Sequence, residues 1–542
     1  MDNQTRLKEA LAKAFGEIGI EIAPESIPLV ESKEKAHGDY ASPIAMKKAK
    51  EAKKNPVELA HDIASYLPSD LVERCEVAGP GFINFFLKKE DLESVVSKIF
   101  EEGPHFGDGA KKNRKIDVEF VSANPTGDLH LGHTRGAALG DATASLLQKA
   151  GYDVTREYYV NDCGNQVRHL GLSLYARYKE LFGYPLELGD DDYHGEDLIA
   201  IAQEIKDQKG DNLLAGTDED LAFFSRYGVD RELSKIKKDL SDFGVHFDVF
   251  TYESDIRKSG KIEEAIAFFK EKGLAYEQDG ALFLKTSAYL DDKDRPIVKK
   301  DGTYTYFMPD IAYHYDKLSR GFDLLVDMLG ADHHGYLARM KSALMMKGYP
   351  ENVLEFGLYQ IVRVYKNGVE VKMSKRTGKA VAHRDLVAEV GVDAVRYFFT
   401  ERSGDTHLDF NLDLALSKSK ENPVYYSQYA YARCHSVLTL AEPLEPRLTP
   451  GTLVLPLEGE ILKQLASFPA MIESAGEARA PHKVAGYVYR LASLVHEYYA
   501  STRIIDREKE TLTSSRLALL KASSIVIKEA LRILGVSAPE KM

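Results

Sequence analysis

The chain has 542 residues, with 71 Lys+Arg against 84 Asp+Glu and a formal charge of −13. Hydrophobic residues at 44% and charged residues at 29% are soluble globular proportions, and the length suits about three or four domains of roughly 100–200 residues each. Forty Gly and twenty Pro exclude a fibrous or low-complexity chain, and no stretch approaches the ~20 apolar residues that span a bilayer.

The first predicted element is an amphipathic helix with Leu7, Leu11 and Phe15 at i, i+4 spacing, in place of a signal peptide. Residues 1–110 read as an α+β unit, closing with a strand at Gly79–Leu87, a polar helix and a basic, Gly-rich link. Residues 111–411 read as a parallel α/β region. Its opening unit is a strand at Ile116–Ser122, a helix at Thr134–Ala150 with Ala138, Leu139, Ala142, Leu146 and Ala150 on one face, and a strand at Asp153–Val160. Gly151 stands where a C′ glycine ends a helix. Charged helical segments over about 166–300 read as an insertion, and alternating signals resume near Tyr304. Residues 412–542 are almost wholly helical in pattern, with Asn422 as N-cap and Pro423 at the first helical position of one helix. Cys75, Cys163 and Cys434 are far apart, with no CxxC pair. That argues against disulfides and thiolate zinc, and for a cytoplasmic protein. The acidic charge counts weakly against nucleic acid, because a large enzyme can carry one basic face.

Ligands of parallel α/β sheets bind outside the carboxyl ends of the strands. The loop there, SANPTGDLHLGH, ends in His130-Leu131-Gly132-His133 at a helix start. Free N–H groups and the helix dipole favour phosphate there, Gly132 admits close approach of a nucleotide, and two imidazoles a turn apart can donate to phosphoryl oxygens. A pair of surface histidines around a turn is the bland reading of so short a motif, and its position after a strand and before a helix favours the functional one. Downstream, Ile361–Tyr365 and Val369–Val371 flank Asn367-Gly368, a hairpin signal. The hairpin delivers Lys372-Met373-Ser374-Lys375-Arg376, whose lysines suit a pyrophosphate leaving group; a bland basic loop is the competing account.

With HLGH and KMSKR in one α/β region, the chain resembles a class I aminoacyl-tRNA synthetase. The segments EFVSANPTGDLHLGHTRGAALGD, EYYVNDCGNQV, YTYFMPDIAYH, GADHHGY and NPVYYSQYAYAR sharpen the resemblance to the bacterial arginyl-tRNA synthetases, and HGDYASPIAM with GPGFINFFL extends it to the N-terminus. The resemblance implies a Rossmann-type catalytic domain, an N-terminal tRNA-contacting domain and a helical anticodon-binding domain. It implies His130, His133, Lys372 and Lys375 as catalytic residues, and Gly132, Asp332, His333, Met373 and Ser374 beside them around ATP. For L-arginine it implies Glu119, Asp310, Tyr306, Asn124 and His130. For tRNA(Arg) it implies Gly38-Asp39-Tyr40 at the elbow and Arg433 among the anticodon-side helices. Mg²⁺ is expected to arrive with ATP, no protein-bound metal is expected, and a monomer without membrane association is expected.

A planar cation with five donors does need carboxylates in bidentate reach. Without the resemblance, Glu119 reads as a solvent-facing strand residue and Asp310 as a helix cap, while Tyr425 and Tyr429 read as core. Asp162, Asn165 and Gln166 fall at the same sheet edge, as pocket rim or Asx-turn. A cysteinyl enzyme would need zinc ligands and a glutamyl enzyme cations in place of the two acids. A non-catalytic tRNA-binding paralogue is the alternative from another class.

Overall fold

The computed structural model describes residues 3–32, 38–68, 71–87, 89–189, 192–331, 335–371 and 381–542. The centre is an all-parallel sheet of β1 (Lys115–Glu119), β2 (Asp153–Val160), β3 (Val249–Tyr252), β4 (Leu324–Gly330) and β5 (Leu354–Tyr359), in the order β5-β4-β1-β2-β3. Strand order reverses between β1 and β4, and ligands of such sheets collect at that switch point, outside the carboxyl ends.

On one face lies α1 (Leu131–Lys149), buried at every position from Thr134 to Leu147. Its small residues permit this. A Cβ on Gly140 would stand 2.3 Å from the Phe120 ring, so the sheet and helix approach as they do only because none is there. Gly151 takes the C′ position with φ +92°, as its place in the sequence implies. On the other face lies α2 (Phe307–Ser319), followed beyond β4 by α3 (Tyr336–Met346).

The strand β3 corrects the sequence reading: it belongs to the central sheet yet falls within residues assigned to an insertion. Its four residues are all half-buried, so no alternation marks them. The added material consists of helices Asn165–Glu180, Asp197–Lys209 and Asp218–Asp242 around Leu170, Leu174 and Phe224, and a small antiparallel sheet over Ala275–Val298.

The N-terminal unit is a four-stranded antiparallel sheet with helices Asn3–Glu17, Ile44–Ala52 and Pro56–Ser65. The C-terminal domain contains helices Pro423–Leu440, Pro456–Ala466, Phe468–Glu477, Pro481–Ser501 and Glu510–Ile533. Asn422 caps the first of them by accepting from the Val424 and Tyr425 N–H groups. The domains are clamped by Arg396, fully buried, which donates to Leu534 O (3.0 Å), to Phe243 O (3.1 Å) and to the Asp141 carboxylate on α1. Removing one partner of such a buried pair costs about 3–5 kcal/mol. Among the described residues no helix is long and apolar enough to cross a membrane.

Candidate active site

β1 ends at Glu119 because the next residues leave extended space: Val121 and Ser122 have φ of +68° and +39°. A β-branched residue in the left-handed region is strained, and here the kink turns the chain back under the sheet edge. Ser122 Oγ then donates to Glu119 Oε1 (2.8 Å) and accepts from the Tyr159 N–H (3.1 Å).

The loop runs on to His130, the N-cap of α1. The two histidines cap each other: the His133 N–H donates to His130 Nδ1 and the His130 N–H to His133 Nδ1, both at 3.3 Å. Their rings stack with centroids 3.5 Å apart. Because each Nδ1 accepts, each ring carries its proton on Nε2, turned away from the backbone. Burial holds both imidazoles below the ordinary histidine range, His133 at about 3. They are therefore neutral donors at neutral pH. Gly132 has a role beyond the expected one, since a Cβ there would meet His130 Cε1 at 2.9 Å; the glycine makes room for the ring to fold over the helix start.

The chain that re-enters at Val381 pairs directly with this motif. Ala382 bridges His130, the His383 N–H donates to Leu129 O (2.8 Å), and His383 Nδ1 lies 3.0 Å from Thr134 Oγ1. On the upstream side, Asn367 and Gly368 with φ of +52° and +74° turn the hairpin between Val362–Lys366 and Val369–Glu370. The segment after the second motif is thus joined to the first, while Lys372–Arg376 itself lies outside the described residues.

The strand that leads into the histidine loop carries part of a buried cluster of charge. Asp327 on β4, Glu119 on β1 and Glu157 on β2 stand in register on three adjacent strands, with Asp117 one pleat back on the same face. Like charges so placed repel, and α2 presents a single stripe at i, i+4, i+7, Asp310, His314 and Lys317, whose last two members supply the counter-charge. Lys317, fully buried, places Nζ 2.6 Å from Glu119 Oε2, 3.0 Å from Asp117 Oδ1 and 3.1 Å from Asp327 Oδ1. His314 Nε2 meets Asp327 Oδ2 at 2.9 Å and Nδ1 meets Asp310 Oδ1 at 3.1 Å. The Tyr336 hydroxyl donates to Asp310 Oδ2. Glu119 and Asp310 are therefore ends of one connected chain of charges.

The sequence matches known families over its whole length. Residues 2–87 match the model of the arginyl tRNA synthetase N-terminal domain, 95–409 the class I (R) tRNA synthetase catalytic domain, and 427–542 the DALR anticodon-binding domain. The arginine–tRNA ligase of Bacillus subtilis is 48% identical over 99% of this chain and 98% of its own length, and that of Geobacillus kaustophilus 49% over the same shares. The chain belongs to the arginyl-tRNA synthetase family. A solved structure from Campylobacter jejuni titled as an arginyl-tRNA synthetase superposes with a TM-score of 0.79 at 34% identity, covering 84% of this chain and 100% of the other. The Thermus thermophilus arginyl-tRNA synthetase shares the fold over 99% of both chains, with a TM-score of 0.78.

The remaining predicted residues of this synthetase fall as follows. Asn124, exposed, donates to Gln166 Oε1 (2.7 Å), joining two of the sheet-edge segments. Asp162 instead accepts from the Ser254 N–H (2.8 Å) and so starts helix Glu253–Lys258. Tyr306 sits at the N-cap of α2 with 79% of its surface exposed. The Asp39 carboxylate accepts from the Leu87 N–H (2.7 Å) and pairs with Lys463 of the C-terminal domain, while a Cβ on Gly38 would meet Phe85 O at 2.5 Å. This segment holds the N-terminal sheet to the C-terminal domain. Arg433 lies over the Tyr429 and Tyr499 rings at 4.4 and 4.7 Å, and Tyr425 stacks on Tyr429. Asp332, His333, Lys372, Met373, Ser374 and Lys375 lie outside the described residues.

Sequence reasoning missed Asp117, Glu157, Asp327, His314 and Lys317. The available signals were an acid inside the apolar run LLVDMLG, acids alternating with apolar residues in β1, and the i, i+4, i+7 stripe on α2.

Proposed function

We propose that the chain is an arginine–tRNA ligase in which Glu119 and Asp310 hold the substrate guanidinium. The observation that carries this is the position of the two acids, joined through buried charges at the switch point of the sheet, with Glu119 on the strand whose loop leads to the paired histidines. Tyr306 closes the outer side of the pocket, and Asn124 and His130 meet the amino and carboxylate groups of the substrate. A carboxylate oxygen of arginine attacks the α-phosphorus of ATP in line, the bond to the β-phosphate oxygen breaks, and pyrophosphate leaves. Neutral Nε2–H groups of His130 and His133 donate to the α-phosphoryl oxygens as their charge develops. Lys372 and Lys375 hold the departing pyrophosphate, with Met373 and Ser374 beside them. Asp332 and His333 lie against the adenosine. Mg²⁺ arrives on the triphosphate. The hydroxyl of the tRNA 3′-terminal ribose then attacks the arginyl carbonyl, and AMP leaves.

The tRNA is proposed to lie across both flanking domains, with Arg433 and its tyrosines offering π-faces to unpaired bases. Gly38-Asp39-Tyr40 contributes at the elbow by fixing the N-terminal domain. A monomer acting in the cytoplasm completes the reading. No observation favours the non-catalytic alternative: the curated relatives matched over the full length are arginine–tRNA ligases. Pyrophosphate exchange into ATP, measured for each amino acid with and without tRNA, tests the proposal. Exchange confined to arginine and dependent on tRNA is expected; exchange with another amino acid would discard the Glu119/Asp310 pocket, and none at all would discard the catalytic reading.

A further inference from the structure

A pocket for a cation needs acids that stay ionised when buried, and burial favours the neutral acid. The protonation pattern around Glu119 and Asp310 can be read from geometry. Both ring nitrogens of His314 face only acceptors: Nδ1 meets Asp310 O (2.8 Å) and Asp310 Oδ1, and Nε2 meets Asp327 Oδ2. A neutral imidazole has only one N–H, so this ring is the imidazolium. Lys317 Nζ has three protons and three carboxyl groups around it, so it is the ammonium. The other acids on this face are already balanced. Glu157 accepts two hydrogen bonds from Arg320 (2.7 and 2.9 Å) and one each from Tyr313 (3.0 Å) and Thr251 (2.6 Å). Asp117 is the acid left without a hydrogen-bond donor of its own, both oxygens buried and its Lys317 neighbour shared with two other acids; burial and the nearby Glu157 push its carboxyl up to about 8, so it is the one that holds a proton.

What remains is Asp310, His314, Asp327, Lys317 and Glu119, three negative groups and two positive, one negative charge in excess. Resting on the pocket reading above, we infer that His314 and Lys317 are positioning residues that keep both pocket acids ionised and leave a single negative charge for the substrate guanidinium to neutralise. The specificity of the site then lies in a charge count set two turns along α2 from Asp310, as well as in the two acids themselves. With Lys317 neutral, Glu119 takes up a proton, and the pocket no longer distinguishes arginine from citrulline, which has the same shape without the charge.

The test is steady-state aminoacylation by Lys317→Met, His314→Gln and Asp327→Asn beside Glu119→Gln, varying arginine, citrulline and ATP separately. The arginine KM is expected to rise on the order of tenfold to a hundredfold in each, the equivalent of one hydrogen bond to a charged group. The ATP KM is expected to stay within about twofold, because the groups that hold ATP are untouched. The preference for arginine over citrulline is expected to fall, a change that a merely structural role would not produce. Should the lysine variant fail to fold, Asp327→Asn and His314→Gln, which keep side-chain volume, decide the matter. A raised arginine KM in Glu119→Gln alone, with parental values and parental discrimination in the others, overturns this inference and leaves the pocket standing. An unchanged arginine KM in Glu119→Gln overturns the pocket itself.

Discussion

His130 performs two tasks with two different nitrogens, and one substitution separates them. Nδ1 caps α1 by accepting the His133 N–H, while Nε2–H faces the place proposed for the α-phosphate. In His130→Asn the side-chain oxygen still caps, since Asn is among the best N-cap residues, but the outward donor is gone. In His130→Ala both are lost, and the missing cap costs about 1 kcal/mol. A donor aimed at charge developing in the transition state is worth about 3–4 kcal/mol, or 10²–10³ in rate. Pyrophosphate exchange in the presence of tRNA should therefore fall by about that factor in both variants. Thermal unfolding followed by circular dichroism should separate them, Asn melting close to the parent and Ala lower by a few degrees at most, about 2–4 °C per kcal/mol. Because burial lowers both imidazoles from the ordinary range, His133 to about 3, exchange by the parent should show no break near pH 6.5 from this pair. His130→Asn working within about threefold of the parent would refute the donor role, a change too small for a lost transition-state contact.

Three further outcomes follow from the structure. Gly132→Ala should melt no lower than the parent, since Ala is about 1 kcal/mol better than Gly inside a helix, yet lose most exchange activity because its Cβ displaces the His130 ring; full activity would show that the ring position is immaterial. Asp117 has a folded-state pKa of about 8, raised from 3.8, so the stability its proton confers is full below about 3.8 and is lost as pH rises through about 8. Asp117→Asn, which mimics the protonated form at every pH, should gain on the parent in melting temperature between pH 5 and pH 9, and a pH-independent difference would contradict the buried proton. Arg433→Ala should raise the KM for tRNA about tenfold, within the range for stacked bases, with the arginine KM unchanged and a shallower dependence on salt; equal effects on both substrates would remove Arg433 from the RNA surface.

Local chemistry explains what was legible in the chain. The β1–α1–β2 unit, the glycine after α1, the Asn-Gly hairpin and the Asn-Pro helix start each depend on a few neighbouring residues, and each appears where its signal stands. β1 ends three residues early because Val121 adopts a conformation that its branched side chain disfavours. α1 starts three residues early because His130, not an ordinary cap, opens it. Glu119 read from the strand alone as solvent-facing is buried, since alternation assigns a face but says nothing of what covers it.

The sequence by itself determined the order of most elements, the presence of the HLGH and KMSKR motifs and, through its resemblance, the family. Each of these is encoded within a short window or a set of such windows. Only the tertiary structure decided that β3 joins the central sheet, that Asp39 holds two domains together, and that Asp117, Glu119, Glu157 and Asp327 share one buried face answered by Lys317 and His314. These residues come from three strands and a helix spread over some 210 positions, from Asp117 to Asp327. A charge buried in a low-dielectric interior is set by its neighbours in space. No local pattern records those neighbours, so the charge count of the pocket exists only once the sheet has closed around it.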